Sequence, residues 1–340
     1  MIAALIDGSM LPLLRWICRS DHCVLLFRRG LLVVACAFTS MAAADGLLRD
    51  QQLILKLLRH GEVNLNPPVA RELPSSESEL RIRRVGLSAE GHSIRAAFRD
   101  KTRRVSPSRD VSVRYVDAWY NEVAAYHVAT ALGLDFVPPT VVRELHIAES
   151  GLGASEVPRR GSLQYWVENS VVEYELKTSE QTYPGDPLWK NWQLSEIVVF
   201  DCVIGNVDRH AGNILVDLNP RYPRGHKGGA EPVLGKLWAI DHSRAFHRDA
   251  RIVTGGCRIE RLARQPVSLT FIRGLRRWDP TALETQLRAA GLSQREVDNL
   301  HLQSLNRRLA KVLERLEARR AESGLAEEDF FSHGRWHELR

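Results

Sequence analysis

The spacing of apolar and polar positions changes along this chain. After a short N-terminal helix it favours brief alternating segments, and in the second half it favours helical periods. Leu47, Leu48, Leu53, Ile54, Leu57 and Leu58 predict an amphipathic helix over 45–59. Pro67-Pro68, Pro74 and the run Ser75–Glu79 give 62–79 the composition of a linker. Leu80–Val85 and Ser93–Phe98 read as strands joined through a Glu90-Gly91 turn. Asp117–Leu132 reads as a helix with Trp119, Val123, Tyr126, His127 and Thr130 on one face, stopped by Gly133. An extended segment runs from Val137-Pro138-Pro139 to Leu145, and Ser162–Val167 is a further strand.

Beyond that point helices dominate. Trp189–Gly205 reads as an apolar helix, followed by the polar stretch Asn206–Asn213. Ile214–Asp217 and Leu237–Ile240 are short strands around a Gly/Pro/basic loop. Asp279-Pro280 places an N-cap before a proline at the first helical position, and Gly291 ends that helix. Ser293 and Glu296 form a capping box, which predicts one long helix to about Arg320. The fold class expected is α+β and two-lobed: a β-rich small lobe over 80–167 and a mainly helical large lobe over 168–320. Residues 45–79 are helix and linker, and 321–340 a tail.

The N-terminus changes the picture of location. Arg28-Arg29 precede the apolar run Gly30–Met41, and Ala42, Ala43 and Ala44 follow it. A basic flank, a dozen or so apolar residues and small residues describe a secretory signal. The run is shorter than the roughly 20 residues of a membrane span. Residues 1–44 are therefore read as a signal peptide or an uncleaved anchor, implying export through the secretory pathway or to a periplasm, with membrane association if the segment stays. A cytoplasmic chain with a buried hydrophobic helix is the alternative. After cleavage only Cys202 and Cys257 remain, enough for one disulfide or two buried thiols. With 26% charged residues and a net charge of +6, the chain suits a phosphate-rich ligand or acidic substrate, or simple solubility. No basic run with interleaved aromatics points to nucleic acid.

Candidate chemistry gathers in Phe200–Val216 and in Leu237–Ser243. Phosphoryl transfer needs a carboxylate to orient or deprotonate the attacking hydroxyl. It also needs oxygen ligands for the cations that neutralise the phosphates. An Asp-x4-Asn pair, a strand, and an Asp ending the next strand supply these groups. Asp208 is the candidate base, and Asn213 and Asp241 are the candidate ligands for Mg²⁺ or Mn²⁺. A rival set, His210 and His242 beside Asp208 and Asp241, has zinc-ligand chemistry, but neither histidine has a helical His-x3-His partner.

The chain also resembles the atypical secretory-pathway kinases, the family of the Golgi casein kinase, the proteoglycan xylose kinase and four-jointed. The pieces run from about Arg95 to Leu316: Ala96-Ala-Phe-Arg99, Trp119–His127, Phe136–Pro139, Gly161–Trp166, Phe200–His210, Ile240–Phe246, Cys257–Ile259 and Leu305–Leu309. The resemblance implies a kinase that uses ATP and a divalent cation, with a protein serine or a glycan hydroxyl as acceptor. Glu122 would be the small-lobe helix glutamate that pairs with the phosphate-binding lysine or helps hold the metal. Gly161–Trp166 would lead into the hinge, placing Tyr165 and Trp166 by the adenine. Two features depart from that family. Arg99 stands where the family has lysine, a non-conservative exchange at a phosphate site, with Lys101 two residues on along the same strand face as a substitute. Asn213 stands where the animal members commonly carry an acidic residue, and Asp-Arg-x3-Asn and Ile-Asp-His resemble phosphoinositide kinases and their bacterial relatives. A lipid kinase and a pseudokinase scaffold are therefore the competing readings.

Overall fold

The computed structural model describes residues 51–65, 82–105, 115–148, 155–179, 182–185, 187–218, 235–248 and 267–331. The signal or anchor expected at 1–44, the linker prolines and Cys257 lie outside them.

The first layer is a five-stranded antiparallel sheet in the order β1-β2-β3-β7-β6. Its strands are β1 (Glu62–Asn64), β2 (Arg83–Ala89), β3 (His92–Arg99), β6 (Thr140–Ala148) and β7 (Glu156–Tyr165). The register of β2 on β3 runs from Arg83↔Phe98 to Ala89↔His92, which leaves Glu90-Gly91 as a two-residue turn. Both turn residues have positive φ, 53° and 77°. Such a turn matches the right-handed twist of the strands it joins. Alternation puts Val85 and Leu87 of β2 and Ala96 and Phe98 of β3 on one buried face. They pack there with Val141, Leu145, Ile147, Leu163 and Leu58. Leu58 belongs to α1 (51–60), whose terminal carbonyls at Leu58 and Gly61 accept from Arg143 of β6 at 2.9 and 2.5 Å. The guanidinium thereby supplies donors to a helix end that would otherwise lack them.

A second ribbon, β4 (Thr102–Val105) on β5 (Tyr115–Ala118), was not foreseen in the sequence. It moves the start of the next helix: Asp117, expected inside it, lies on β5, and α2 runs Trp119–Ala131. Ala118 is the N-cap and, with no polar atom in its side chain, offers no capping bond. The expected single apolar face also gives way. Ten residues of α2 are buried, Asn121 and Glu122 among them, because the helix is enclosed by the sheet and by the later helix Pro280–Ala289.

The larger core is helical. After β8 (Ser170–Val172) and α3 (Glu173–Thr178) come α4 (Pro187–Ile204), a 3-10 turn (Ala211–Asn213), β9 (Ile214–Asp217) and β10 (Leu237–Ala239). Strands β10-β9-β8 form a small antiparallel sheet. Then follow α5 (Leu269–Arg276), α6 (Pro280–Ala289), α7 (Gln294–Asn299), α8 (Leu302–Ser323) and α9 (Glu327–Phe331). Asp279 caps α6 through Thr281 and Ala282, with proline at its start. The capping box at Ser293 and Glu296 is present, but it opens a six-residue helix rather than a long one. His301 adopts a left-handed conformation (φ 49°) and breaks the run before α8. Leu305, Leu309, Val312 and Leu316 then recur at helical spacing and face the core that α4 fills with Ile197, Phe200 and Val203.

Candidate active site

The site is built outward from the end of α4. The helix stops at Gly205 in a left-handed conformation (φ +65°), where a Cβ would sit 2.8 Å from the Arg308 guanidinium. That guanidinium, 1% exposed, donates to the carbonyls of Val203, Ile204 and His247 at 3.0, 3.2 and 2.7 Å. The loop that follows is tied down by Asp201. Its carboxylate accepts from Asn206 at 2.9 Å and from Arg209 Nε at 2.8 Å. Arg209 Nη1 in turn donates to the carbonyls of Asn213 and Ile240, both at 2.6 Å. One arginine thus fixes the Asp208 loop, the end of the 3-10 turn and the exit of β10 together.

Asp208 lies in that loop with a quarter of its side chain exposed. Asn213 is buried, and its amide Nδ2 donates to the Asp208 carbonyl at 3.0 Å. Ile240 N–H donates to the Asn213 carbonyl at 3.1 Å, which sets β10 and the following Asp241 beside the loop. Asp241 does not end β10, as expected, but lies two residues past it with φ +53°. Asn121 of α2 holds the turn that follows, donating to the carbonyls of Ser243 and Ala245 at 2.6 and 3.1 Å. Ser243 Oγ donates to Asp241 Oδ1 at 2.8 Å.

Arg99 closes the arrangement from the small lobe. It is the last residue of β3, 8% exposed. Its Nη1 donates to Asp241 Oδ1 at 3.1 Å and lies 3.9 Å from Glu122 Oε1. Its Nη2 donates to Asp117 Oδ1 at 2.5 Å. Glu122 Oε2 accepts from the His242 backbone N–H at 3.0 Å. Four predicted residues, Arg99, Glu122, Asn213 and Asp241, therefore converge with Asp208. Lys101 does not join them. Strand β3 ends at Arg99, so the alternation that would have put Lys101 on the same face is broken, and Lys101 is exposed. Tyr165 ends β7 and Trp166 follows it. Their N–H groups, however, donate to the carbonyls of Pro139 and Arg95 at 2.8 and 3.0 Å. The Trp166 ring lies under the Arg84 guanidinium at 4.5 Å.

Two residues were missed. Arg244 Nη1 pairs with Asp208 Oδ2 at 3.0 Å, and its Nε donates to Asp117 Oδ2 at 3.2 Å. Asp117 is 1% exposed. The signal for Arg244 was present in Asp241-His-Ser-Arg244. Asp117 had no signal beyond its place at an expected helix start.

Electrostatics separate the Asp208 and Asp241 carboxyls. Burial pushes Asp208 above the usual carboxylate range, against the pull of Arg244, and the charge of Asp241 adds to the rise. Burial also opposes ionisation of Asp241, but Arg99, the Ser243 hydroxyl and Arg244 together hold it below the usual range. Arg99 is costly to bury, yet Asp241, Asp117 and Glu122 raise it further above its ordinary value. Asp241 therefore stays a charged oxygen donor, and Asp208 is the more basic of the pair.

The donor set fits a hard divalent cation. Asp117, Glu122, Asp208 and Asp241 against Arg99 and Arg244 leave two negative charges. Mg²⁺ is commonly held by one or two protein carboxylates and completed by phosphate oxygens. Asn213 and Asp241 are the groups that would hold it, and the cation would neutralise the phosphates. Zinc fits poorly. His210 Nδ1 already accepts from Gly212 N–H at 3.0 Å, and His242 is fully buried. Among the described residues no three His, Cys, Asp or Glu side chains cluster as a metal site.

A sheet-based lobe over a helical one, with the Asp208 and Asp241 carboxylates, the Asn213 amide and the buried Arg99 guanidinium at their junction, defines a two-lobed, kinase-fold phosphotransferase. The comparisons agree. The family model for phosphatidylinositol 3- and 4-kinases matches residues 117–312, and the chain belongs to that family. Its cofactors are accordingly ATP and a divalent cation. The solved Golgi casein kinase is similar in fold, with a TM-score of 0.50 at 15% identity over 82% of this chain and 76% of that one. The hydra Fam20 protein, solved with a sugar, is similar with a TM-score of 0.50 at 16% identity over 81% of this chain and 90% of that one. A search of curated proteins finds no match.

Proposed function

We propose that this chain transfers the γ-phosphate of ATP to a hydroxyl of an exported protein, a serine, or of a glycan. In this reading Asp208 takes the acceptor proton as the oxygen attacks the γ-phosphorus and the bond to ADP breaks. Asn213 and Asp241 would hold the cation, which would neutralise the phosphates, and Arg99 and Glu122 would lie beside them. The supporting observation is the lock between base loop and metal side: the Asn213 amide on the Asp208 carbonyl at 3.0 Å, and Ile240 N–H on the Asn213 carbonyl at 3.1 Å. It carries both carboxylates on one rigid unit, as in-line transfer requires.

Export is supported by Arg28–Ala44, which has the pattern of a signal. Among the described residues no helix is long and apolar enough to cross a membrane. The protein-acceptor reading follows the Golgi casein kinase, similar in fold and named for such a substrate. The matched family model favours a lipid acceptor, and Arg99 in the lysine position favours a scaffold without turnover.

Purified chain, labelled ATP and Mn²⁺ with casein, a glycan mixture or phosphatidylinositol vesicles separates these readings. Label on protein or glycan that disappears in Asp208→Ala supports the proposal. Label on lipid alone transfers it to the lipid reading, and nucleotide binding without label in any arm supports the scaffold. N-terminal sequencing from the native host tests export: cleavage near Ala44 is expected, and a cytosolic chain starting at Met1 refutes it.

A further inference from the structure

We propose that Asp117 is a positioning residue which, through Arg99 and Arg244, holds the metal-side and base carboxylates in a fixed relation. The inference rests on the kinase reading above. The two oxygens of Asp117 are divided: Oδ1 takes Arg99 Nη2 and Oδ2 takes Arg244 Nε. Each arginine then extends its other arm to one working carboxylate. Arg99 Nη1 reaches Asp241 Oδ1 at 3.1 Å, and Arg244 Nη1 reaches Asp208 Oδ2 at 3.0 Å. A guanidinium is planar and rigid, so a shift at one arm is felt at the other. The result is a continuous chain of five charged groups, Asp241–Arg99–Asp117–Arg244–Asp208, centred on the one least exposed to water.

Strand β5 sets the centre. Asp117 pairs with Arg103 in the β4–β5 ladder and is followed directly by α2, so its backbone is fixed on both sides. Tyr115, two residues earlier and thus on the same strand face, lies 5.2 Å beneath the Arg244 guanidinium. One strand therefore supplies both the carboxylate and the ring that orient Arg244. A purely structural Asp117 would balance two buried cations and have no bearing on nucleotide or turnover.

The test uses full-length wild type, Asp117→Asn, Arg244→Gln, Arg244→Lys and the Asp117→Asn/Arg244→Gln double variant. Mn²⁺-ATP affinity is read by calorimetry. Turnover is read as ATP hydrolysis with water as acceptor. Arg244→Gln is expected to keep the nucleotide affinity and to lower kcat by about 10²-fold, the scale of a misplaced catalytic group. Arg244→Lys recovers part of that loss. Asp117→Asn lowers both affinity and kcat, and the double variant loses less than the product of the single losses, because the two residues act as one unit. Asp117→Asn with wild-type affinity and turnover overturns the proposal. So does Arg244→Gln losing affinity in step with kcat, which marks a structural role. If Asp117→Asn does not fold, the Arg244 pair decides by its kcat and affinity split. Should the wild type bind nucleotide without hydrolysing it, water is not an acceptor, and the kinase reading is decided separately by the labelled-acceptor assay above. The proposal then rests on binding: weakened in Asp117→Asn and kept in Arg244→Gln supports it, and any other pattern overturns it. A wild type that binds no nucleotide overturns both.

Discussion

Replacing Arg99 by lysine, the residue the resembling kinases carry, tests what the arginine does. Arg99 serves Asp117 with one nitrogen and Asp241 with another. Lysine has a single ammonium and can satisfy only one of them at a time. Asp117 is 1% exposed and cannot be left to water, whereas the Asp241 side chain is 32% exposed. The ammonium should therefore stay with Asp117 and release Asp241. A hydrogen bond between charged groups contributes about 1.5–3 kcal/mol. Partial solvation of the released carboxylate argues for the lower end, about 1.5 kcal/mol. For a fold of this size that corresponds to a Tm drop of about 3–6 °C. Binding should weaken as well. Asp241 has lost the arm that positions it, so the Mn²⁺-ATP thermal shift should be smaller than in the wild type. Differential scanning fluorimetry with and without Mn²⁺-ATP reads both quantities. An unchanged apo Tm would show that Arg99 does not bridge the two carboxylates. A nucleotide shift equal to the wild type's would show that this arm does not position Asp241. Phosphotransfer that appears only in Arg99→Lys would identify the natural chain as a scaffold.

Three further outcomes follow from the same geometry. Asp241→Asn should keep the fold, because asparagine tolerates the left-handed φ of +53° found there, yet should abolish the Mn²⁺-ATP thermal shift; an equal shift in both proteins would remove Asp241 from the metal site. Arg308→Met leaves three carbonyls without their donor and should cost about 3–5 kcal/mol in denaturant titration, since each buried acceptor left unpaired costs about 1–3 kcal/mol; a loss below about 1 kcal/mol would show that the cap is dispensable. The His127 imidazole is held down to about 4 from 6.5, by burial and then by Arg59. Its depressed value means the unfolded chain takes up the proton first, so stability is complete above about pH 6.5 and is lost as pH falls toward 4, by about 3 kcal/mol in all. His127→Leu should flatten that dependence, and an imidazole titrating near 6.5 in the folded protein by NMR would refute it.

Features set by neighbours in the chain were legible in the sequence. The Glu90-Gly91 turn, the Asp279-Pro280 cap and the Ser293–Glu296 capping box each depend on a few adjacent residues, and each is present. The set Asp208, Asn213, Asp241 was legible for a related reason, since its spacing is dictated by one loop and one short antiparallel return. What failed depends on distant contacts. The ladder between β4 and β5 makes Asp117 a strand residue, although Asp before an apolar helix is a good local N-cap. Enclosure of α2 by the sheet and α6 buries Asn121 and Glu122, which hydrophobic spacing alone would expose. His301 interrupts a run of good helix formers with a conformation that nothing in its neighbours requires. Lys101 was misplaced by assuming that β3 continued past Arg99.

The departure at Arg99 and the burial of Asp117 are best understood as one feature. A lone lysine needs one carboxylate partner, and Glu122 on α2 would suffice. Here Glu122 lies 3.9 Å from the cation and accepts instead from the His242 backbone. The guanidinium has turned toward Asp117 and Asp241, and only a forked cation can serve both. Burying a carboxylate at Asp117 costs several kcal/mol unless charge and hydrogen bonds surround it. Two arginines supply both, so neither can be removed without exposing that cost. The cluster still carries two negative charges in excess, and a nucleotide adds more. Such a site can close around ATP only with a divalent cation present, so cation dependence is a consequence of its charge balance as well as of the chemistry it performs.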